Sequence, residues 1–340
     1  MINIIKLKIK VILIKEIGDR VLEKIKQMKK IELHLHLDGS MSLELASKLS
    51  GASCEECKKM MVASDFVRDL RDYLINFNFP ISLMQTKENL KLVASDLVNR
   101  LEKENVIYAE IRFAPVSHIN EGLTYDEIVE SVLEGLRENK NVKTNLILCM
   151  RRGFPDELNI ETLKTAKKYL NKGVVAVDLV GDEKNHKLKE HLSLFSLVRD
   201  MNVPFTIHAG ETDEIDILDA INLGVKRIGH GVKCINNQEL VNLIKEKNIL
   251  LEVCPTSNIQ TNAFSDYTNH PVYNLYKKNI NISINTDNMT VSNIDLNEEY
   301  LKLINNFPFS IDDLKEINRN SVNYAFLSPK EKIELLEKLK

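Results

Sequence analysis

The chain has 340 residues, of which 44% are apolar and 28% are charged, and its formal net charge is −3. These values are ordinary for a globular protein, and the small negative charge excludes the long-range attraction of basic proteins for nucleic acid or anionic membranes. We therefore expect a cytoplasmic protein with no nucleic-acid, membrane or protein partner. Five cysteines, an odd number, do not suggest a disulfide framework.

Residues 1–28 are interpreted as an N-terminal extension of unclear role. Lysines interrupt its apolar residues, and the uninterrupted run Val11–Ile14 is far shorter than the ~20 residues that span a bilayer. A signal peptide would need a clean apolar stretch and a small-residue cleavage site, and neither is present. We expect this extension to form an extra strand or helix or to be a flexible segment, and we expect a single domain over residues 29–340.

From residue 31 onward, short apolar runs alternate with helical patterns. The predicted strands are 31–36, 106–113, 143–149, 174–180, 203–208, 226–230, 249–254 and 280–286. Eight strands that alternate with helices predict an α/β fold, a closed (β/α)8 barrel of the TIM type. The stretch 40–105 is too long for one crossover helix, so we expect extra helices after the first strand, packed over the barrel mouth.

Cap signals support several of the helices between these strands. Thr124 and Glu127 have the spacing of a capping box, and Ser328 with Pro329 marks another helix start. Cys54 and Cys57 form one C-x-x-C, without the second pair that a zinc ribbon needs and without a thioredoxin-like context. We interpret the pair as incidental, with redox or adventitious metal chemistry as the alternative.

Ligand-type residues gather at the ends of predicted strands. They are His34 and His36, His208 and Glu211, His230, and Asp287. In parallel barrels the chemistry collects at the carboxyl-terminal ends of the strands, and His34 and His36 share one face because they are two residues apart. The other four histidines, His118, His186, His191 and His270, do not end a strand. This sorting predicts one site at one end of the barrel.

Three imidazoles and one carboxylate suit zinc or another borderline divalent ion. Bound metal lowers the pKa of a coordinated water to ~7. A buried Glu211 could act as general acid, and His230 could accept a proton from the water or orient it. Each residue also has an ordinary explanation, as a buried core histidine, a turn residue or a helix cap. Their shared placement at strand ends argues against all of those explanations together.

The fourth strand narrows the metal chemistry further. Binuclear barrel hydrolases often bridge two metals with a carboxylated lysine at the end of strand four, but this strand ends Leu179-Val-Gly-Asp182. We therefore expect one metal ion. The H-x-E and P-C-x-x-C patterns of the cytidine-deaminase zinc site are also absent.

Seven ordered motifs resemble the adenosine deaminase family, within the wider amidohydrolase barrels, over roughly residues 29–335. They begin at Glu32 (ELHLHLDGS), Tyr108 (YAEIRFAP), Asp178 (DLVGDE), His208 (HAGE), Gly229 (GHG), Cys254 (CPTSN) and Asn285 (NTDN). Each motif is weak by itself, but the ordered set is specific.

The resemblance implies zinc-dependent hydrolytic deamination of adenosine and 2′-deoxyadenosine to inosine or 2′-deoxyinosine and ammonia, in purine salvage. It implies that one zinc ion is held by His34, His36, His208 and Asp287. Glu211 is then the proton donor to purine N1, and His230 assists the water that attacks C6. The implied partner is a small-molecule purine nucleoside.

The resemblance also implies a substrate pocket. Gly181 offers its backbone N–H to the purine ring, and Asp38 with His36 faces the ribose 5′-hydroxyl. Several well-known members carry a second aspartate where this chain has Asn288. An amide can donate to purine N7 without being protonated, so Asn288 is compatible with function.

Four alternatives to adenosine deamination stay open. Related adenine deaminases tend to carry Glu where this chain has Asp38, and the shorter acid leaves room for ribose. Binding of AMP would require basic residues near the 5′ end of the substrate pocket, and none adjoins Asp38 in the sequence. A non-catalytic nucleoside-binding relative would have lost a ligand or the acid, and an amide or ester hydrolase fits poorly without the strand-four lysine.

Overall fold

The computed structural model describes residues 18–64 and 67–340. Its first helix, α1, covers residues 18–27 and buries Ile25 in the main core. The prediction made for residues 1–17 lies outside the described residues, and the domain boundary at residue 28 stays a prediction. No helix of the described chain is both long enough and apolar enough to cross a membrane.

Eight parallel strands form the centre of the fold. They are β1 (Lys30–His36), β2 (Val106–Phe113), β3 (Lys143–Arg151), β4 (Val174–Val180), β5 (His208–Ala209), β6 (Arg227–His230), β7 (Leu250–Val253) and β8 (Asn281–Ile284). They pair in sequence order as two four-stranded sheets. Isolated bridges join Val177 to Phe205 and Leu35 to Asp287. Because these bridges link the two sheets at both edges, the strands close into the predicted (β/α)8 barrel.

The fifth strand is much shorter than predicted. Residues 203–208 were expected to form a strand, but only His208 of that range lies in β5. Pro204 has no N–H to donate, so pairing with β4 is reduced to two hydrogen bonds. Val177 N donates to Pro204 O at 3.0 Å, and Thr206 N donates to Val177 O at 3.0 Å.

Helices surround the barrel and cover one of its ends. After α1 they are α2 (Leu43–Ser50), α3 (Cys54–Met61), α4 (Leu70–Leu74), α5 (Asn78–Leu83), α6 (Lys87–Lys103), α7 (Tyr125–Leu136), α8 (Asp156–Tyr169), α9 (Leu192–Asp200), α10 (Ile215–Leu223), α11 (Gln238–Glu246), α12 (Pro255–Gln260), α13 (Val272–Lys277), α14 (Leu296–Asn306), α15 (Ile311–Val322) and α16 (Pro329–Lys338). The described residues between β1 and β2 hold α2 to α6, which confirms the extra helices.

The predicted capping boxes are formed. Thr124 Oγ1 accepts a hydrogen bond from Glu127 N at 3.3 Å, and the carboxylate of Glu127 accepts a hydrogen bond from Thr124 N at 3.0 Å. Ser328 and Glu331 cap α16 in the same way. These reciprocal bonds satisfy the first backbone N–H groups of each helix, so the local signals read from the sequence fix where the helices begin.

The barrel interior holds a buried group of charged side chains that we call the charged layer. Its members are Glu110, Arg112, Asp178, Arg227 and Glu252, and each is 0% exposed. Because a buried ion is costly unless it is paired and hydrogen-bonded, their mutual contacts decide whether the layer is stable. The layer lies directly beneath the strand ends that carry the predicted site.

Candidate active site

The two histidines of β1 face the same space, as their spacing predicts. Their ring centroids are 5.3 Å apart. His34 Nε2 and His36 Nε2 each lie 3.4 Å from Asp287 Oδ1, which comes from the end of β8. The bridge between Leu35 and Asp287 that closes the barrel sets this approach. The first and last strands therefore bring the predicted ligands together.

His208 and His230 join them from β5 and β6. His208 Nε2 is 3.2 Å from His36 Nε2, and the rings of His208 and His230 are 5.2 Å apart. Ligand atoms of His34, His208, His230 and Asp287 all lie within 4.8 Å of one another. We call these four residues and His36 the histidine cluster. Every metal ligand predicted from the sequence belongs to it.

Two members of the histidine cluster have an unusual backbone. Nine non-glycine residues of the described chain have a positive φ; seven are asparagines, and the other two are His230 (φ 62°) and Asp287 (φ 61°). The left-handed region is costly for most side chains, although Asp and His enter it more readily than others. Such strain often lies at functional sites, and here it turns both side chains at the strand ends.

The far nitrogens of three histidines of the cluster have two kinds of partner. His34 Nδ1 lies 2.8 Å from Glu252 Oε2, and His208 Nδ1 lies 2.9 Å from Asp178 Oδ2. Metal-binding histidines usually give their second nitrogen to such a carboxylate. His230 Nδ1 instead faces the neutral amide of Asn258 at 3.0 Å. This difference favours His34 and His208 over His230 as ligands.

The donor set fits a metal ion. His34 Nε2 is buried with no hydrogen-bond partner in the described chain, although its other nitrogen is bonded to a carboxylate. Burial alone would raise the pKa of Asp287, but the charges of the neighbouring imidazoles hold it below its usual range. A lone imidazole nitrogen beside an ionised carboxylate is what a borderline divalent ion requires.

The charged layer fixes these supporting carboxylates. Arg112 donates to Asp178 Oδ2 at 2.6 Å and to Glu252 Oε2 at 2.8 Å, so one guanidinium bridges both. Arg227 Nε donates to Glu252 Oε1 at 2.6 Å and also pairs with Glu110. Although burial opposes ionisation, the two arginines hold the pKa of Glu252 well below its usual range. The supports of the histidines are therefore charged acceptors.

Glu211 lies beside the cluster as a different kind of carboxyl. Burial raises its pKa well above the usual range, and the charges of Asp287 and Glu183 raise it further. Glu211 Oε2 is 3.6 Å from His230 Nε2. Glu183 accepts from Gly210 N at 2.6 Å and Glu211 N at 3.0 Å, which fixes the turn. The environment therefore favours the protonated form of this acid.

The predicted substrate residues line the same cavity. His36, Asp38, Gly181 and Asn288 lie on its wall with Glu211. Gly181 has φ 112°, a conformation that glycine adopts easily. At Gly39, a Cβ would lie only 2.1 Å from Asn288 Oδ1, so the loop after β1 needs glycine for Asn288 to approach. All nine residues predicted for the site are thus brought together, with His34 buried just beneath the cavity.

Comparison with known proteins identifies the family of this site. A family model described as adenosine deaminase matches residues 29–340. The chain belongs to the adenosine deaminase family. The adenosine deaminase of Clostridium perfringens (strain SM101 / Type A) is 42% identical over 325 residues, which cover 92% of this chain and 96% of that protein.

Solved structures show the same architecture. An Arabidopsis ADAL protein complexed with GMP has a TM-score of 0.83 at 25% identity and covers 93% of this chain and 98% of its own. The adenine deaminase of Arthrobacter aurescens has a TM-score of 0.83 at 23% identity, with 92% and 98% covered, and shows the shared fold. The fold inferred from the order of strands is that of the adenosine deaminase family.

Sequence reasoning missed several residues of this deaminase site. Two histidines set aside because they end no strand support it: His118 Nε2 is 2.8 Å from Asp38 Oδ1, and His270 Nε2 is 3.2 Å from Asn258 Oδ1. No role was predicted for any member of the charged layer, although charges inside otherwise apolar strands were visible signals. The apolar wall of the cavity comes from α4, the residues that follow it, and α5; it includes Leu70, Tyr73, Leu74, Phe77 and Ile81.

A larger groove exists, but it lies away from this chemistry. It has a volume of about 880 Å³ and is lined by residues such as Gly173, Lys226 and Tyr324. Gly173 and Lys226 directly precede β4 and β6, so the groove opens at the amino-terminal ends of the strands. In the described chain, the cluster of possible metal ligands lies at the opposite ends. The smaller cavity is therefore the candidate active site of this deaminase.

Proposed function

We propose that this protein catalyses the hydrolytic deamination of adenosine and 2′-deoxyadenosine, giving inosine or 2′-deoxyinosine and ammonia. The observation that carries the proposal is a buried carboxyl, Glu211, whose pKa is raised and which lies 3.6 Å from His230 at the histidine cluster. An acid beside a water-activating site is what replacement of an amino group by oxygen requires. Membership of the adenosine deaminase family supports the same reaction.

We propose one zinc ion per chain, held by His34, His36, His208 and Asp287. The carboxylates behind His34 and His208 support this choice, and the amide behind His230 leaves that residue for proton transfer. When bound, the ion supplies Lewis-acid activation of water at neutral pH. Strand four ends at Val180 with glycine next, so no lysine is present there to bridge a second ion.

The protonation steps fall to two residues. Glu211 donates its proton to purine N1, which makes C6 electrophilic as water adds to it. His230 accepts the proton that the attacking water releases, and burial lowers the pKa of its imidazole well below the usual range, so it starts neutral. Asp287 is oriented by Ser257, whose hydroxyl donates to its Oδ2 at 2.6 Å. The amino group then takes the proton from His230 and leaves as ammonia as the bond from C6 to the amino nitrogen breaks. The C6 hydroxyl becomes the carbonyl of the product and returns its proton to Glu211.

The remaining predicted residues bind the purine nucleoside. Asp38 accepts from the ribose 5′-hydroxyl, and His118 and the Ala114 N–H, at 2.8 and 3.3 Å, hold its carboxylate in place. The backbone N–H of Gly181 donates to the purine ring. Asn288 donates its amide N–H to purine N7, a bond that an ionised aspartate cannot make.

The experiment that tests this function is ultraviolet absorbance of adenosine with the purified protein, before metal removal, after it, and after zinc is restored. We expect conversion to inosine that disappears with the metal and returns with zinc. Conversion of free adenine but not of adenosine would mean that adenine is the substrate and adenosine is not. No conversion by protein that binds zinc stoichiometrically would overturn the proposed reaction, and absence of bound zinc would overturn the proposed site.

A further inference from the structure

Arg151 occupies the cavity of the candidate active site without an assigned role. It is the last residue of β3, and it lines the cavity together with Asp38 and Ser117. Its Nη1 donates to Ser117 Oγ at 3.2 Å, and its guanidinium carbon lies 4.5 Å from the ring centroid of Phe154. The side chain is half-buried and held at a defined position at the end of the pocket that contains Asp38.

The bonding of Arg151 differs from that of other arginines in the barrel. Arg112, Arg152 and Arg227 are buried, and each donates directly to a carboxylate. In the part of the chain that the structure describes, Arg151 donates to a neutral hydroxyl instead. A guanidinium presents five N–H donors in a rigid fork, so this one keeps donors for a ligand with paired oxygens.

Asp38 lines the same cavity and is a counter-charge to Arg151. Burial lowers the pKa of Arg151, and the Asp38 carboxylate opposes that effect across the cavity. The oxygens of Asp38 are already engaged by His118 and the Ala114 N–H. Asp38 thus balances the charge of Arg151 without occupying its donors, and it would repel any anion that entered between them.

Resting on the function proposed above, we propose that Arg151 is a specificity-determining residue. Its guanidinium supplies N–H donors to a phosphate subsite at the 5′ end of the pocket. The negative charge of Asp38 repels phosphate and so excludes nucleoside 5′-monophosphates from this subsite. The wild type therefore prefers adenosine to AMP because of a single carboxylate, although a basic partner for phosphate is present. Removal of that negative charge opens the subsite, and removal of Arg151 abolishes it.

The test compares kcat/KM for adenosine and AMP in the wild type, Asp38→Asn, Arg151→Gln and the double variant. We expect Asp38→Asn to raise the ratio of AMP to adenosine at least about tenfold, since a hydrogen bond to a charged group exceeds the ~1.4 kcal/mol that equals tenfold. The gain should vanish in the double variant. Arg199→Gln removes an equal charge from the exposed end of α9 and should leave the ratio unchanged.

An unchanged ratio in Asp38→Asn, or a gain that survives in the double variant, would overturn the inference. Wild-type turnover of adenosine tests the proposed function separately, because that activity does not depend on the AMP ratio. If Asp38→Asn fails to fold, calorimetry of inosine and inosine 5′-monophosphate binding replaces the kinetics. In the Asp38→Ala background, where the subsite is open, Arg151→Gln should then weaken binding of the monophosphate more than that of inosine, and equal weakening of both contradicts the subsite.

Discussion

The histidine cluster and the charged layer lie mostly on different strands of one barrel and share only β6, and their side chains have different kinds of partner. In the charged layer, every member is fully buried and bonded to an opposite charge, as Arg112 is to Asp178 and Glu252. In the histidine cluster, His34 Nε2 is buried without a hydrogen-bond partner in the described chain. The charged layer gives rigidity through its ion pairs, although Arg112 Nε and Asp178 Oδ1 are buried without a hydrogen-bond partner in the described chain, whereas the cluster keeps a lone pair available for a ligand. The comparison predicts different consequences for mutations in each.

The largest effect should come from the acid beside the histidine cluster. Glu211→Gln keeps the shape of the side chain but removes the proton that the reaction needs, and general acids contribute about 10²- to 10⁴-fold. We expect kcat for adenosine to fall about 10³-fold. Zinc content by atomic emission should stay at the wild-type level, because Glu211 is not a proposed ligand. A variant with kcat near the wild type would remove Glu211 from the mechanism.

A smaller effect, on zinc affinity, is expected when the carboxylates of the charged layer that contact the histidine cluster are replaced. Glu252→Gln removes the charged acceptor of His34, and Asp178→Asn that of His208. Loss of such an outer carboxylate typically lowers metal affinity about 10- to 100-fold, so chelator competition should show zinc binding weakened by that factor.

Glu110→Gln is the matched control for these two variants. Glu110 belongs to the charged layer and pairs with Arg227, and its other contacts are with Tyr108 and Phe326 N rather than with the cluster. We expect it to lower the melting temperature but to leave zinc affinity near the wild-type value. If all three variants weaken zinc equally, the layer acts through general stability and not through individual carboxylate–histidine pairs.

The sequence predicted the histidine cluster because two simple rules of strand geometry apply to it. Alternation along a strand places His34 and His36 on one face, and parallel strands bring their carboxyl ends to one rim. The same rule covers Arg151, which ends β3, but it was applied only to histidines and acids. The fifth strand was overestimated because Pro204 limits pairing in a way that hydrophobicity does not reveal.

The supports of the cluster could not be predicted in this way. Asp38 and His118 meet across 80 residues, and His34 and Glu252 meet across 218, so no local pattern relates them. The charged layer also contradicts the expectation that strands buried on both faces are nearly all apolar. Such ions persist only because several strands supply partners at once, which is a property of the closed barrel and not of any one strand.

The neutral support behind His230 offers the smallest and most specific test of the comparison. His270 reaches His230 only through Asn258, and burial lowers the pKa of His270 from its ordinary value of 6.5 to about 3. As the pH falls below 6.5, the unfolded chain takes up this proton before the folded chain does. The free energy of unfolding contributed by a neutral His270 is therefore present above pH 6.5 and lost progressively below it.

His270→Gln removes the titration while keeping an amide that can bond Asn258. Between pH 7 and about 5.5, the wild type should lose about 1 kcal/mol more unfolding free energy than the variant, as measured by urea denaturation at each pH. A charged support would give a different result, because a carboxylate partner favours the protonated imidazole and holds its pKa up. A stability difference that stays constant with pH would therefore mean that His270 is protonated in the folded protein, and that the support behind His230 is not neutral.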